Sequence, residues 1–160
     1  MPTKRRYAPV FILLCVLWTA VIFSYSLKNG ATSSHESSTV TGLLSFIMAR
    51  LGVSEVPSEH VVRKLAHFFE YFVLGGLSFA AFRLSGARGS TLLASGYAVL
   101  VALADEFICQ NISEGRGPQL FDVLLDSTGA FFGVIVAFLL CSFLAEYRKR
   151  KNDHKISKNA

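Results

Sequence analysis

Six ionisable side chains lie inside otherwise apolar stretches of this chain: His67, Glu70, Asp105, Glu106, Asp122 and Asp126. Their types are those of proton transfer and cation chemistry. An imidazole exchanges its proton near neutrality, and carboxylates act as general bases or hold hard divalent cations through oxygen. Arg63, Lys64 and Arg116 stand close to these acids in sequence and are suited to a phosphate group through charge-assisted hydrogen bonds. Tyr71 and Gln110 add further hydrogen-bonding groups. The setting makes the set unusual, because an ionisable residue at the centre of a bilayer costs roughly 2.5–3.5 kcal/mol on insertion scales and less near the interface. A plain structural reading competes for each residue taken singly: the basic side chains pair with the acids and lock the helix ends. For the six together a site is the better reading, with His67 as the proton-transfer group and Asp105, Glu106 and Asp122 beside it. Arg63, Lys64, Glu70, Tyr71, Gln110, Arg116 and Asp126 are then the contacts to a ligand.

The elements that must position these residues follow from composition. Of 160 residues, 52% are hydrophobic and 17% charged, against about 25% charged in an ordinary soluble domain. Mean hydropathy is +0.45. A soluble globular enzyme is excluded on this balance, and the 14 Phe residues exclude a solvated, disordered chain. Four runs approach the roughly 20 apolar residues that a membrane helix needs: residues 8–26, 65–82, 91–109 and 120–145. The fold expected is an all-α, four-helix transmembrane bundle over residues 1–147, followed by a basic, disordered tail at 148–160. The first run is longer than the 7–15 residues of a signal-peptide core, so it is read as a retained span.

Orientation comes from the basic residues. With both termini inside, eleven of the sixteen Lys and Arg residues fall on the inner side, chiefly in the amino-terminal KRR and the tail RKRKNDHKISK. This excess places both termini in the cytoplasm and makes the tail an anchor on the anionic leaflet rather than a nucleic-acid site. Cys15, Cys109 and Cys141 all lie within spans without metal-ligand spacing, and are read as apolar packing residues.

This topology brings the unusual residues to one depth on the outer side: the start of the second span, the end of the third and the start of the fourth. Helical phase narrows the arrangement. Lys64, His67, Tyr71 and Gly75 share a face, as do Asp122, Asp126, Gly129 and Gly133. Gly129 and Gly133 form a G-x-x-x-G, which admits a close neighbour, so the acids of the fourth span lie on its packed side. Asp105 and Glu106 point about 100° apart on an α-helix; at most one faces the centre, and the other bridges to a neighbour. Ser24 and Ser26 occur in no recognisable nucleophile setting. The long connection after the first span begins with polar NGATSSHESS. It continues with a dozen residues in which Val40, Leu43, Leu44, Ile47, Met48 and Leu51 follow helical spacing. This predicts a short amphipathic helix on the outer surface.

The stretches RKLAHFFEYFVLGG (63–76), ADEFICQ (104–110), EGR (114–116) and FDVLLDSTGAFFG (121–133) resemble, in order and spacing, the motifs of the VanZ-like family. The likeness covers about residues 8–145. Two departures are visible: Asp126 stands where the family pattern often has Asn, and Asp105-Glu106 is followed by Phe107 and Ile108. The resemblance implies a multi-pass protein of a bacterial cell membrane with effects on the envelope. It connects the chain with resistance to lipid-bearing glycopeptides of the teicoplanin type, a phenotype of some members.

Three functional readings remain open. In the first, the cluster is catalytic toward an amphiphile with its head group at the outer interface, such as a polyprenyl-phosphate-linked sugar or another lipid-linked envelope precursor. In the second, the same residues bind a membrane lipid or a lipophilic antibiotic without catalysis, or support a membrane-protein partner or a second copy of the chain. In the third, the acids relay protons in a transporter; this ranks lowest, since no polar residue continues the path beyond Ser78 and Ser95. The sequence names no cofactor and leaves the metal question open.

Overall fold

The computed structural model describes residues 5–27, 58–109 and 119–159, together with isolated positions 38, 41, 42, 45, 46, 50 and 112. Among these residues four helices are long and apolar enough to cross a membrane, and there is no strand. A 3-10 turn (Arg5–Tyr7) leads into α1 (Ala8–Ser26). The others are α2 (Glu59–Ser85), α3 (Ser90–Ala104) with a π-helical continuation (Asp105–Cys109), and α4 (Leu120–Asn159). The four spans expected from apolar run length are therefore present, and two of them are longer than expected.

The extensions have local causes. Helix α2 starts six residues before the apolar run because Ser58 caps it, its side chain accepting from the Val61 amide at 3.5 Å, with Glu59 in the first turn where the helix dipole favours an acid. It ends at Gly86, whose φ of +83° is open to glycine without a Cβ penalty. Gly89, with φ of +74°, then turns the chain into α3. At the other end of the chain α4 runs on to Asn159. The basic segment expected to be disordered is thus helical through residue 159. It contains no Gly or Pro and is rich in Lys and Arg, good helix formers, and Arg150 pairs with Glu146 one turn back at 3.3 Å.

The apolar stripe of the expected amphipathic outer helix lies outside the described residues, as do Gln110 and Arg116.

Helix α2 is the centre of the bundle, packing on α1, α3 and α4, and most extensively on α4. That last contact is made by backbone. A Cβ added at Gly129 would meet the Phe68 carbonyl, one at Gly133 the Phe72 carbonyl, and one at Gly75 the Ala130 carbonyl. The G-x-x-x-G of α4 therefore does what its spacing implied, with Gly75 of α2 completing the contact. Helix α1 presents one face, Ala8, Cys15, Ile22 and Ser26, to the bundle, and Trp18 ties it to α2 by donating to the Glu70 carbonyl at 2.8 Å. Most other large apolar side chains of α1 and α4 point outward, as they do when lipid is the solvent.

Gly133→Ala forces the α2 and α4 backbones apart and should destabilise the bundle by about 1–3 kcal/mol, the range of overpacked cores. Gly96→Ala, at a helical glycine with nothing within 4 Å of an added Cβ, should be neutral or slightly stabilising. Unfolding in mixed micelles of increasing SDS content measures both.

Candidate functional site

All four helices contribute to one end of the bundle: the last residue of α1, the first half of α2, the end of α3 and the start of α4. Their local structure decides what arrives there. Helix α3 gives up α-helical geometry at Ala104, and Asp105–Cys109 form a π-helical turn. Such turns are rare and recur at functional sites. Here the widened turn lets adjacent acids be buried together, with Asp105 and Glu106 both fully shielded. They serve different neighbours. Asp105 Oδ2 accepts from the Ser26 hydroxyl at 2.8 Å, joining α3 to α1. Glu106 Oε1 accepts from the Gln119 amide at the start of α4, where free backbone donors and the helix dipole favour a carboxylate. One acid thus points to the centre and the other bridges.

The centre is formed by His67, Asp105 and Asp126. One ligand-capable atom from each lies within 4.8 Å of the other two. Asp126 comes from the packed face of α4 and is 1% exposed; Asp105 is 0% exposed. Glu70 lies one turn from His67, its Oε2 3.5 Å from the imidazole Nδ1. Tyr71 is fully buried, with Asp105, Asp126 and Glu70 as its electrostatic neighbours. Among the described residues, one oxygen of each buried aspartate, Asp105 Oδ1 and Asp126 Oδ1, lacks a hydrogen-bond partner, while His67 Nδ1 and Glu70 Oε2 face each other. Burying even one such atom unsatisfied costs about 1–3 kcal/mol, so two on converging aspartates are a departure from ordinary packing.

Around this centre lies a rim. Lys64 pairs with Asp122, linking α2 to α4, and its ammonium also lies 5.1 Å from the Phe121 ring centroid. Lys64 and Asp122 side chains keep 22% and 27% exposure, and those of His67 and Glu70 20% and 24%, so the cluster is reached from this side. The Arg63 guanidinium lies 3.5 Å from His60 Nδ1, toward the start of α2. The Phe121 ring beside the Lys64 ammonium is itself largely exposed.

The sequence-derived residues therefore divide. His67, Glu70, Tyr71, Asp105 and Asp126 come together; Glu106, Asp122 and Lys64 frame them; Arg63 stands apart; and Gln110 and Arg116 lie outside the described residues. Asp126, assigned on sequence to ligand contact, sits in the centre, and Asp122, assigned to the reacting set, sits on the rim. Sequence reasoning passed over Ser26, Trp18 and Gln119. For Ser26 a signal existed: it is a polar residue at the end of α1, at the depth of Asp105 and in phase with the buried Ile22. A separate apolar cavity of about 250 Å³ lies between α1, α2 and α3, lined by Cys15, Ser78, Phe82 and Tyr97 among others; it shares no residue with the cluster.

Chemically, an imidazole flanked by three carboxylates can pass a proton or help hold a cation. An all-helical, multi-pass membrane protein with an acid-rich site at one end of its bundle is the class these features define. A model of the VanZ/LLP1 family matches residues 11–141, and the chain belongs to that family. No curated protein and no solved structure matches it.

The Lys64–Asp122 pair gives a direct check on the rim. Lys64→Met or Asp122→Asn alone should destabilise by roughly 1–3 kcal/mol, because each strands a partly buried partner. The double variant should recover part of that loss. Thermal unfolding of the detergent-solubilised protein in a double-mutant cycle measures the coupling.

Proposed function

We propose that this protein sits in a bacterial cell membrane with both termini in the cytoplasm and uses the His67–Asp105–Asp126 cluster, on the outer face, to act on the head group of an envelope amphiphile. The observation that carries the reading is the cluster itself: a histidine and two aspartates from three helices, converging within 4.8 Å, with both carboxylates buried and each keeping an oxygen unpaired. A cluster serving only to lock helices would pair those oxygens. In this reading His67 moves the proton, Glu70 orients the imidazole, and Lys64 and Asp122 stand at the entrance. The ligand class follows from the setting: the partly exposed His67 and Glu70 lie on a helix long and apolar enough to cross a membrane, which suits a molecule arriving from the lipid layer. A lipid-linked envelope precursor is such a molecule. A part in resistance to teicoplanin-type lipoglycopeptides is proposed with it, on the strength of the family resemblance.

A second reading has its own support. The Ser26–Asp105, Glu106–Gln119 and Lys64–Asp122 contacts each join two helices, which suits a rigid receptor that binds a lipid or lipophilic antibiotic without turnover.

Two experiments test the proposal. Single cysteines at positions 112 and 158, in a background lacking Cys15, Cys109 and Cys141, should differ in labelling by an impermeant thiol reagent on intact cells. Position 112 should label, and position 158 only after permeabilisation; the reverse pattern overturns the outer placement. Mass spectrometry of the protein extracted in mild detergent should find a bound amphiphile with a polar head group. His67→Asn and Asp105→Asn should reduce its occupancy or block its conversion. Conversion lost with occupancy kept favours catalysis, proportional loss favours the receptor, and the absence of any amphiphile from the unsubstituted protein overturns both.

A further inference from the structure

We infer that His67, Asp105 and Asp126 form a binding site for one divalent transition-metal cation, of the zinc or manganese kind. The inference deepens the reading above, since it gives the same site an ion, and it rests on that reading only for what the ion would act on. The donor set is one imidazole nitrogen and two carboxylate oxygens, on α2, α3 and α4. An ion with bonds of about 2.0–2.2 Å places its ligand atoms no more than about 4.4 Å apart, and these atoms lie within 4.8 Å of one another. Small side-chain rotations close that difference.

Three further observations point to a ligand here. Asp105 and Asp126 are fully shielded, yet Oδ1 of each has no hydrogen-bond partner among the described residues. Ser26 occupies Oδ2 of Asp105, which orients that carboxylate and leaves Oδ1 for an ion. Glu70 stands 3.5 Å from His67 Nδ1, the position of a carboxylate that orients a metal-binding imidazole in known sites. Charge points the same way. Glu70, Asp105 and Asp126 surround a single imidazole, while Lys64 is taken by Asp122. Two buried carboxylates and a partly exposed third lie around that imidazole, and a divalent cation supplies compensating positive charge where Asp105 and Asp126 converge on it. A nitrogen donor and a compact three-ligand set favour zinc or manganese over calcium, which takes six to eight oxygens. Tyr71 is fully buried beside these carboxylates.

The test uses the full chain, purified in detergent and stripped with a chelator. Co²⁺, the spectroscopic stand-in for Zn²⁺, is titrated in and followed by its visible absorption; Mn²⁺ is followed by electron paramagnetic resonance. The expected result is saturation at one ion per chain, with at least tenfold weaker binding in His67→Ala and Asp126→Asn and unchanged binding in His154→Ala, whose side chain is exposed in the tail. Asp126→Asn is isosteric and keeps the α2–α4 packing, so it separates ion loss from misfolding; thermal unfolding of each variant without metal confirms this. No saturable binding of either ion, or equal binding in Asp126→Asn and the unsubstituted protein, overturns the inference. An ion bound in a protein without amphiphile sinks the lipid reading alone, and an amphiphile without an ion sinks the metal site alone.

Discussion

The approach of α2 to α4 governs the geometry of everything at the polar end. Aspartate has a short side chain, so Asp126 reaches the space beside His67 only if the two helix axes are close. Gly129, three residues along from Asp126, faces the carbonyl of Phe68, the residue next to His67. A methyl group at that point would collide with backbone, which cannot swing aside as a side chain does. The same contact repeats one turn further along at Gly133 and Phe72, and from the other side at Gly75 and Ala130. Because lipid tails are as apolar as the helix surfaces, burying those surfaces supplies little drive to associate in a bilayer; close packing of small residues takes its place. The glycines thus hold the bundle together and set the reach of its acids.

The π-helical turn at Asp105–Cys109 is the second constraint. Even on a regular α-helix Glu106 would point only about 100° from Asp105, so each acid needs its own neighbouring helix to be covered. The widened turn keeps both inside and lets them contact different helices, Asp105 on α1 and Glu106 on the amide at the start of α4. The turn also accounts for the place of Ser26, which α1 brings to the level of the widened segment.

How much of this was legible without coordinates depended on range. Apolar run length revealed the four spans, and the spacing of Gly129 and Gly133 revealed which side of α4 is packed, because both are properties of local sequence and helical period. The 3.6-residue period likewise put His67 and Tyr71 on one face of α2. What escaped was set by tertiary contact or by departure from that period. The extra turns at the start of α2 are polar and owe their helicity to the Ser58 cap, so counting apolar residues missed them. Nothing in DEFIC announces a π turn. The division of labour between Asp122 and Asp126 could not be read from their spacing either, since both lie on one face; depth decides it, Lys64 meeting the outer acid first and leaving the inner one to His67.

That division bears on what the site recognises. Three basic residues near the acids first suggested a phosphate cradle. In the fold Lys64 is engaged by Asp122 and Arg63 leans toward His60, so neither is turned toward the centre, where carboxylates predominate. An acid-rich centre repels a bare phosphate and attracts cationic groups; it accepts a phosphate head group only through positive charge placed between them. If the site handles a phosphate-bearing amphiphile, a divalent ion at His67, Asp105 and Asp126 is the element that reconciles the ligand with its surroundings. Recognition and charge compensation would then be one requirement, and the close contact of α2 with α4 and the π-helical end of α3 bring His67, Asp105 and Asp126 together where it would be met.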